Sequence, residues 1–136
     1  MRILPIRDTH GNLGIINELA DLIRAEPVIH AGDFGSCDDE SPEHLSDREL
    51  RLHVVHSHLR RFDEIKTRTL SRSQLIELVR EYHLPGDFQT YLDGREAFHV
   101  PVYAIWGNHE DERVVERLFQ RKTAIENLRI LDHLHA

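Results

Sequence analysis

Three short polar clusters hold the side chains from which chemistry can be built: Asp8-Thr-His10, Gly32-Asp33 and Gly107-Asn-His-Glu110. At a strand end, residues two apart point the same way, so the carboxylate of Asp8 and the imidazole of His10 can grip one cation together. The two oxygens of Asp33 allow it to bridge a pair of cations. Asn108 offers a neutral oxygen to a metal, His109 an imidazole for moving a proton, and Glu110 a carboxylate able to orient that imidazole. Two metals held ~3.5–4 Å apart clamp the attacking and leaving oxygens of a transferring phosphoryl group. Each cluster also has an ordinary reading: a turn aspartate beside a surface histidine, a Gly-Asp turn, or a helix start capped by Asn108 or Glu110. Position is what separates them from these.

Each cluster follows an apolar run of strand type. Ile3, Leu4 and Ile6 precede the first, Val28-Ile-His-Ala31 the second, and Val102-Tyr-Ala-Ile-Trp106 the third. Between the first two runs, Leu13, Ile16, Leu19, Ala20 and Ile23 recur at helical spacing, with Asn12 as the expected N-cap and Pro27 as the stop. A strand–helix–strand unit of this length forces its strands parallel, so Asp8, His10 and Asp33 leave the sheet at one edge. A helix from near Asp111, turning Val114, Val115, Leu118 and Phe119 inward, and a strand over Asn127–Leu131 complete the pattern. The expected fold is α/β, a mostly parallel sheet with flanking helices and its ligands at the strand carboxyl ends. Residues 36–100 break the alternation. Capping boxes at Ser46-Asp-Arg-Glu49 and Ser71-Arg-Ser-Gln74 predict one helix from Leu50 to Phe62 and another through Leu75, Ile76, Val79 and Tyr82. The chain is expected to form a single domain over 1–136, with residues 36–100 a helical insertion that caps the site.

A chain of 136 residues, 40% hydrophobic and 30% charged, can bury one core. Its net charge of −7 argues against nonspecific duplex binding. It contains no apolar run of the ~18 residues that span a bilayer, and Met1-Arg-Ile-Leu-Pro leads into a strand pattern rather than a secretory signal. One cysteine, Cys37, rules out an internal disulfide and suits a reducing cytoplasm.

Asp8-x-His10, Gly32-Asp33 and Gly107-Asn108-His109-Glu110 resemble the first three motifs of the calcineurin-like metallophosphoesterase superfamily, hydrolases of phosphate monoesters or diesters with a dinuclear metal centre. The resemblance covers residues 2–33 and 101–131. It implies that Asp8 and His10 bind one metal, that Asp33 bridges both and that Asn108 binds the other, with His109 meeting the phosphate and assisting catalysis. It also implies an αββα sandwich, of which this chain would be the N-terminal half. The family's further ligands, a lone histidine and a Gly-His-x-His, have no counterpart here. The arginine that the phosphoprotein phosphatase branch carries after its Gly-Asp pair is replaced by Phe34-Gly-Ser-Cys-Asp-Asp, which points away from that branch.

Two expectations follow. One sheet face should lack a cover from its own chain, favouring a homo-oligomer or a complementing chain. The second metal, left with Asp33 and Asn108, should bind weakly unless a partner supplies histidines. Mn²⁺, Zn²⁺ or Fe would suit such mixed nitrogen and oxygen ligands. The rival readings are a catalytically impaired half-domain that serves as a binding or assembly subunit, and a fragment of a longer enzyme.

Other side chains invite the same chemistry. Asp132-His-Leu-His135 mimics the family's last motif, although the sheet that should precede it is missing and a disordered or partner-contacting tail is the plainer reading. His53 and His56 share a helical face, His30 lies inside a strand in a core role, and His44, His83 and His99 carry no pairing signal. Arg48, Arg51, Arg60, Arg61, Lys66, Arg68, Arg72 and Arg80 make 48–80 locally basic, suited to phosphate or, more simply, to solvent.

Overall fold

The alternation of side chains along each strand sets the architecture. In β2 (Val28–Ala31), Val28 and His30 are buried and Ile29 and Ala31 exposed; in β3 (Val102–Ile105), Val102 and Ala104 are buried and Tyr103 exposed. The computed structural model, which describes residues 1–59 and 61–131, joins these to β1 (Leu4–Ile6) and β4 (Leu128–Leu131) in one sheet. The order is β1-β2-β3-β4 and every pair is parallel. In an order that never reverses, right-handed crossovers put the helices that directly follow β1 and β3 on one face. That face holds the core, where Val28, Val102, Ala104 and Ile130 meet Leu13 and, from α1 (Gly14–Ile23), Ile16 and Ala20. Phe34, Phe88, Tyr91 and Phe98 fill the same core, as do Val114 and Val115.

The opposite face carries a row in register across all four strands, Pro5, Ile29, Tyr103 and Arg129, and each of the four is exposed. Beside it runs Ala31, Ile105 and Leu131, in register across β2, β3 and β4. Among the described residues this largely apolar sheet face is thus exposed.

The chain forms two compact units, Met1–Asp38 with Gly86–Ala136, and Asp39–Pro85. The second is shorter than the expected insertion of 36–100, because α6 (Phe88–Leu92) sends Phe88 and Tyr91 into the sheet's core alongside Phe98. Asn17 fastens the following segment, donating to the Ala97 carbonyl at 2.9 Å and accepting from the His99 N–H at 3.0 Å. His99, which carried no pairing signal in the sequence, has its Nδ1 2.9 Å from Asp21.

In the second unit, α2 (Ser41–His44), α3 (Asp47–Val55), α4 (Glu64–Arg68) and α5 (Arg72–Glu81) follow one another. The capping box at Ser71 and Gln74 is complete in both directions. Ser46 caps α3, yet that helix stops at Val55 rather than Phe62. The Ser57 hydroxyl donates to the Val54 carbonyl at 2.6 Å and accepts from the Leu59 N–H, local bonds that compete with the helical ladder. Leu50, Val54, Leu75 and Val79 are the buried seam of α3 and α5. Arg72 pairs with Asp47 at 2.7 Å and Arg80 with Glu43 at 3.0 Å, so these two cations already have carboxylates within the unit.

Near the sheet, the bounds of α1 also differ from expectation. α1 begins after Leu13, with no side-chain cap, and ends at Ile23, because Arg24 turns left-handed (φ 54°) and returns its N–H to Ala20 and Asp21. α7 (Glu112–Phe119) begins where expected, capped by Asp111, whose side chain accepts from the Arg113 N–H, so the ordinary reading of Asn108 or Glu110 as its cap does not hold. Phe119, expected inward, is 48% exposed. Asp132–His135 lie outside the described residues.

Candidate metal centre

The ladder between β1 and β2 continues past both strand ends. Asp8 N–H reaches the Gly32 carbonyl at 3.1 Å, His10 N–H the Asp33 carbonyl at 3.0 Å and Gly11 N–H the Phe34 carbonyl at 3.0 Å. The first two clusters are therefore clamped side by side. Asp8, His10 and Asp33 each present one ligand atom, and the three atoms lie within 4.8 Å of one another. All three residues are left-handed, with φ of 56°, 46° and 52°. Backbone held in that region concentrates at sites where side chains must be aimed.

The third cluster joins from β3. A Cβ on Gly107 would collide with the carboxylate and backbone nitrogen of Asp33, so only glycine lets this strand tip close on the second. Two residues on, the His109 N–H lies 3.4 Å from Asp33 Oδ1. Exposed Asn108 stands between these two contacts. The rings of His109 and His10 are 5.7 Å apart between centroids. Arg7 Nε lies 2.9 Å from Asp8 Oδ2, a guanidinium that neutralises part of the acidic cluster.

Glu110 has a different place from the one expected. It is 7% exposed, and its Oε1 accepts from the Phe34 N–H at 2.7 Å while its Oε2 accepts from Gly35 at 3.1 Å and Ser36 at 2.6 Å. Three successive N–H groups form a nest for the carboxylate, which therefore holds the loop after Asp33 instead of orienting the His109 ring. Burial pushes the Glu110 carboxyl upward, opposed chiefly by the bonds from Ser36 and Phe34. Past that loop, Asp38 receives Arg113 and Arg117, each at 2.7 Å.

The sequence reading passed over Thr9, which is buried between the two ligands of the first cluster. Its hydroxyl donates to the Phe34 carbonyl at 3.0 Å and lies 3.0 Å from His30 Nε2. Alternation carried the signal: if Asp8 and His10 face the site, Thr9 faces the core, as does His30 two residues after Val28.

The residues present suit a divalent cation. Two carboxylates and an imidazole form a mixed oxygen and nitrogen donor set of the kind first-row metals accept, and the glycine-lined approach to Asp33 leaves its carboxylate where β1 and β3 both arrive. Among the described residues, no helix is long and apolar enough to cross a membrane. No protein-family model, curated protein or solved structure matches the chain.

Proposed function

We propose that the chain is a metal-dependent phosphohydrolase, a calcineurin-like metallophosphoesterase acting on a phosphate mono- or diester. The observation that carries this reading is the convergence of Asp8, His10 and Asp33 within 4.8 Å, with the His109 ring beside that of His10. The parallel sheet corresponds on this reading to the N-terminal half of the family's sandwich. Asp8, His10 and Asp33 would hold one cation, and Asp33 with Asn108 a second, weaker one, Mn²⁺, Zn²⁺ or Fe being the candidates. A bound cation of this kind supplies Lewis acidity and lowers the pKa of a water to the range where hydroxide forms near neutral pH. His109 donates a hydrogen bond or proton to the leaving oxygen. Asp33 meets the His109 backbone and so fixes where that imidazole stands, and Glu110 keeps the Asp33 loop in place.

The test is hydrolysis of a chromogenic phosphomonoester and phosphodiester with and without Mn²⁺. Activity should require the metal and fall at least 100-fold in His109→Ala and Asp33→Asn, the scale of general acid–base and metal contributions. Titration calorimetry should find one tight Mn²⁺ site per chain.

The uncovered row Pro5, Ile29, Tyr103 and Arg129 favours a second reading, an assembly subunit whose open sheet face binds a copy of itself or a complementing chain. No turnover from wild-type protein, together with a folded dimer on a sizing column, would select it over the enzyme.

A further inference from the structure

We propose that His30 is a positioning residue of the metal centre, acting through the Thr9 hydroxyl on both ligand-bearing loops; this rests on the reading of Asp8, His10 and Asp33 as ligands. His30 is 1% exposed, within β2, with its ring edge-on to Phe34 at 4.9 Å. The direction of its hydrogen bond can be worked out from the protons available. A hydroxyl has one, and a carbonyl oxygen has none. The Thr9 hydroxyl therefore gives its proton to the Phe34 carbonyl, and its 3.0 Å contact with His30 must run the other way, from Nε2–H to Oγ1. His30 is then the neutral Nε2–H tautomer. Its Nδ1 is an unprotonated nitrogen with no hydrogen-bond partner among the described residues. Burial, the largest influence on it, lowers its pKa from 6.5 to about 4, which keeps the ring neutral.

The chain of bonds starts in the core and ends between the loops. His30 fixes the rotation of the Thr9 hydroxyl, and that hydroxyl fixes the first cluster against the carbonyl next to Asp33. The same carbonyl receives the Gly11 N–H at 3.0 Å, so Phe34 is held from both sides of the first loop. Thr9 lies between Asp8 and His10, and Phe34 follows Asp33. One buried imidazole thus sets the spacing of all three candidate ligands without reaching the ion. An apolar residue at 30 would fill the core, but it would leave the Thr9 oxygen without its donor and the hydroxyl able to turn away. Left-handed backbone at the three ligands needs such restraint from outside the loops.

Mn²⁺ titration calorimetry on wild type, His30→Leu, His30→Gln, Thr9→Val and the Leu/Val double variant tests this, with urea denaturation in parallel. His30→Leu and Thr9→Val should each weaken Mn²⁺ binding by the tenfold to 100-fold typical of outer-sphere partners. The double variant should be no worse than the poorer single one, because both act on one chain. His30→Gln, whose amide N–H can stand near the place of Nε2, should recover part of the loss. It also keeps the test open if His30→Leu fails to fold. Long-range ¹⁵N spectra of the metal-free protein should show Nδ1 of His30 as the unprotonated nitrogen. Unchanged Mn²⁺ affinity in folded variants, whatever their urea midpoints, overturns the positioning role, as does a proton on Nδ1. Failure of wild type itself to bind Mn²⁺ removes the metal reading and this role with it, a result distinct from variants that match a binding wild type.

Discussion

At the carboxyl edge of the sheet, a Cβ on Gly35 would run into the backbone of Gly11, and one on Gly107 into Asp33. The bonds that order this edge join residues far apart in the chain: Thr9 to Phe34, Glu110 to the 34–36 backbone, and His10 to Asp33. In the helical unit the capping bonds are between neighbours, Ser46 with Glu49, Asp63 with Lys66 and Ser71 with Gln74. Its ion pairs, such as Arg72 with Asp47, are partly exposed and worth at most about 1 kcal/mol each. The contrast separates two ways of specifying structure. A strand-tip site depends on a few irreplaceable close approaches, whereas a capped helix spreads its specification over many weak local preferences.

The largest effect that would sharpen this contrast is expected at Gly35. Its φ of +90° and its approach to Gly11 leave no room for a methyl group, so Gly35→Ala should lose more than ~4 kcal/mol in urea denaturation or fail to fold. A smaller effect is expected from acid acting on His30. Its pKa of about 4 in the folded chain lies below 6.5 for the unfolded chain, so between these values the unfolded state binds the extra proton. The stabilisation is complete above pH 6.5 and is lost as pH falls toward 4, roughly 3 kcal/mol in all. Denaturation midpoints across that range should fall less steeply in His30→Gln than in wild type. The smallest effect is expected in the helical unit, where Ser71→Ala should cost only ~1 kcal/mol, read by the same denaturation. A result at Ser71 as large as that at Gly35 would erase the distinction.

Legibility from sequence followed the same division. The Ser71 and Ser46 caps could be read because donor and acceptor lie three residues apart. The four strands and the gathering of Asp8, His10 and Asp33 could be read because alternation and parallel crossovers constrain where strand ends go. Glu110 was misplaced because its partners are 74 to 76 residues away and are backbone groups, which leave no trace in side-chain pattern. The stop of α3 at Val55 was missed because Ser57 competes for a carbonyl, a choice that periodicity does not encode. Phe119 was assigned inward by spacing alone, although it is the last residue of α7.

The left-handed turns at Asp8, His10 and Asp33 reach further than their geometry. Aspartate, asparagine, histidine and glycine are the residues such turns accept most readily, and three of those four can donate a lone pair to an ion. Substitution tolerated by the fold is therefore biased toward exchanging one donor for another. A lineage carrying this backbone could retune the charge and hardness of its site, an aspartate giving way to asparagine, while the turn itself stays intact.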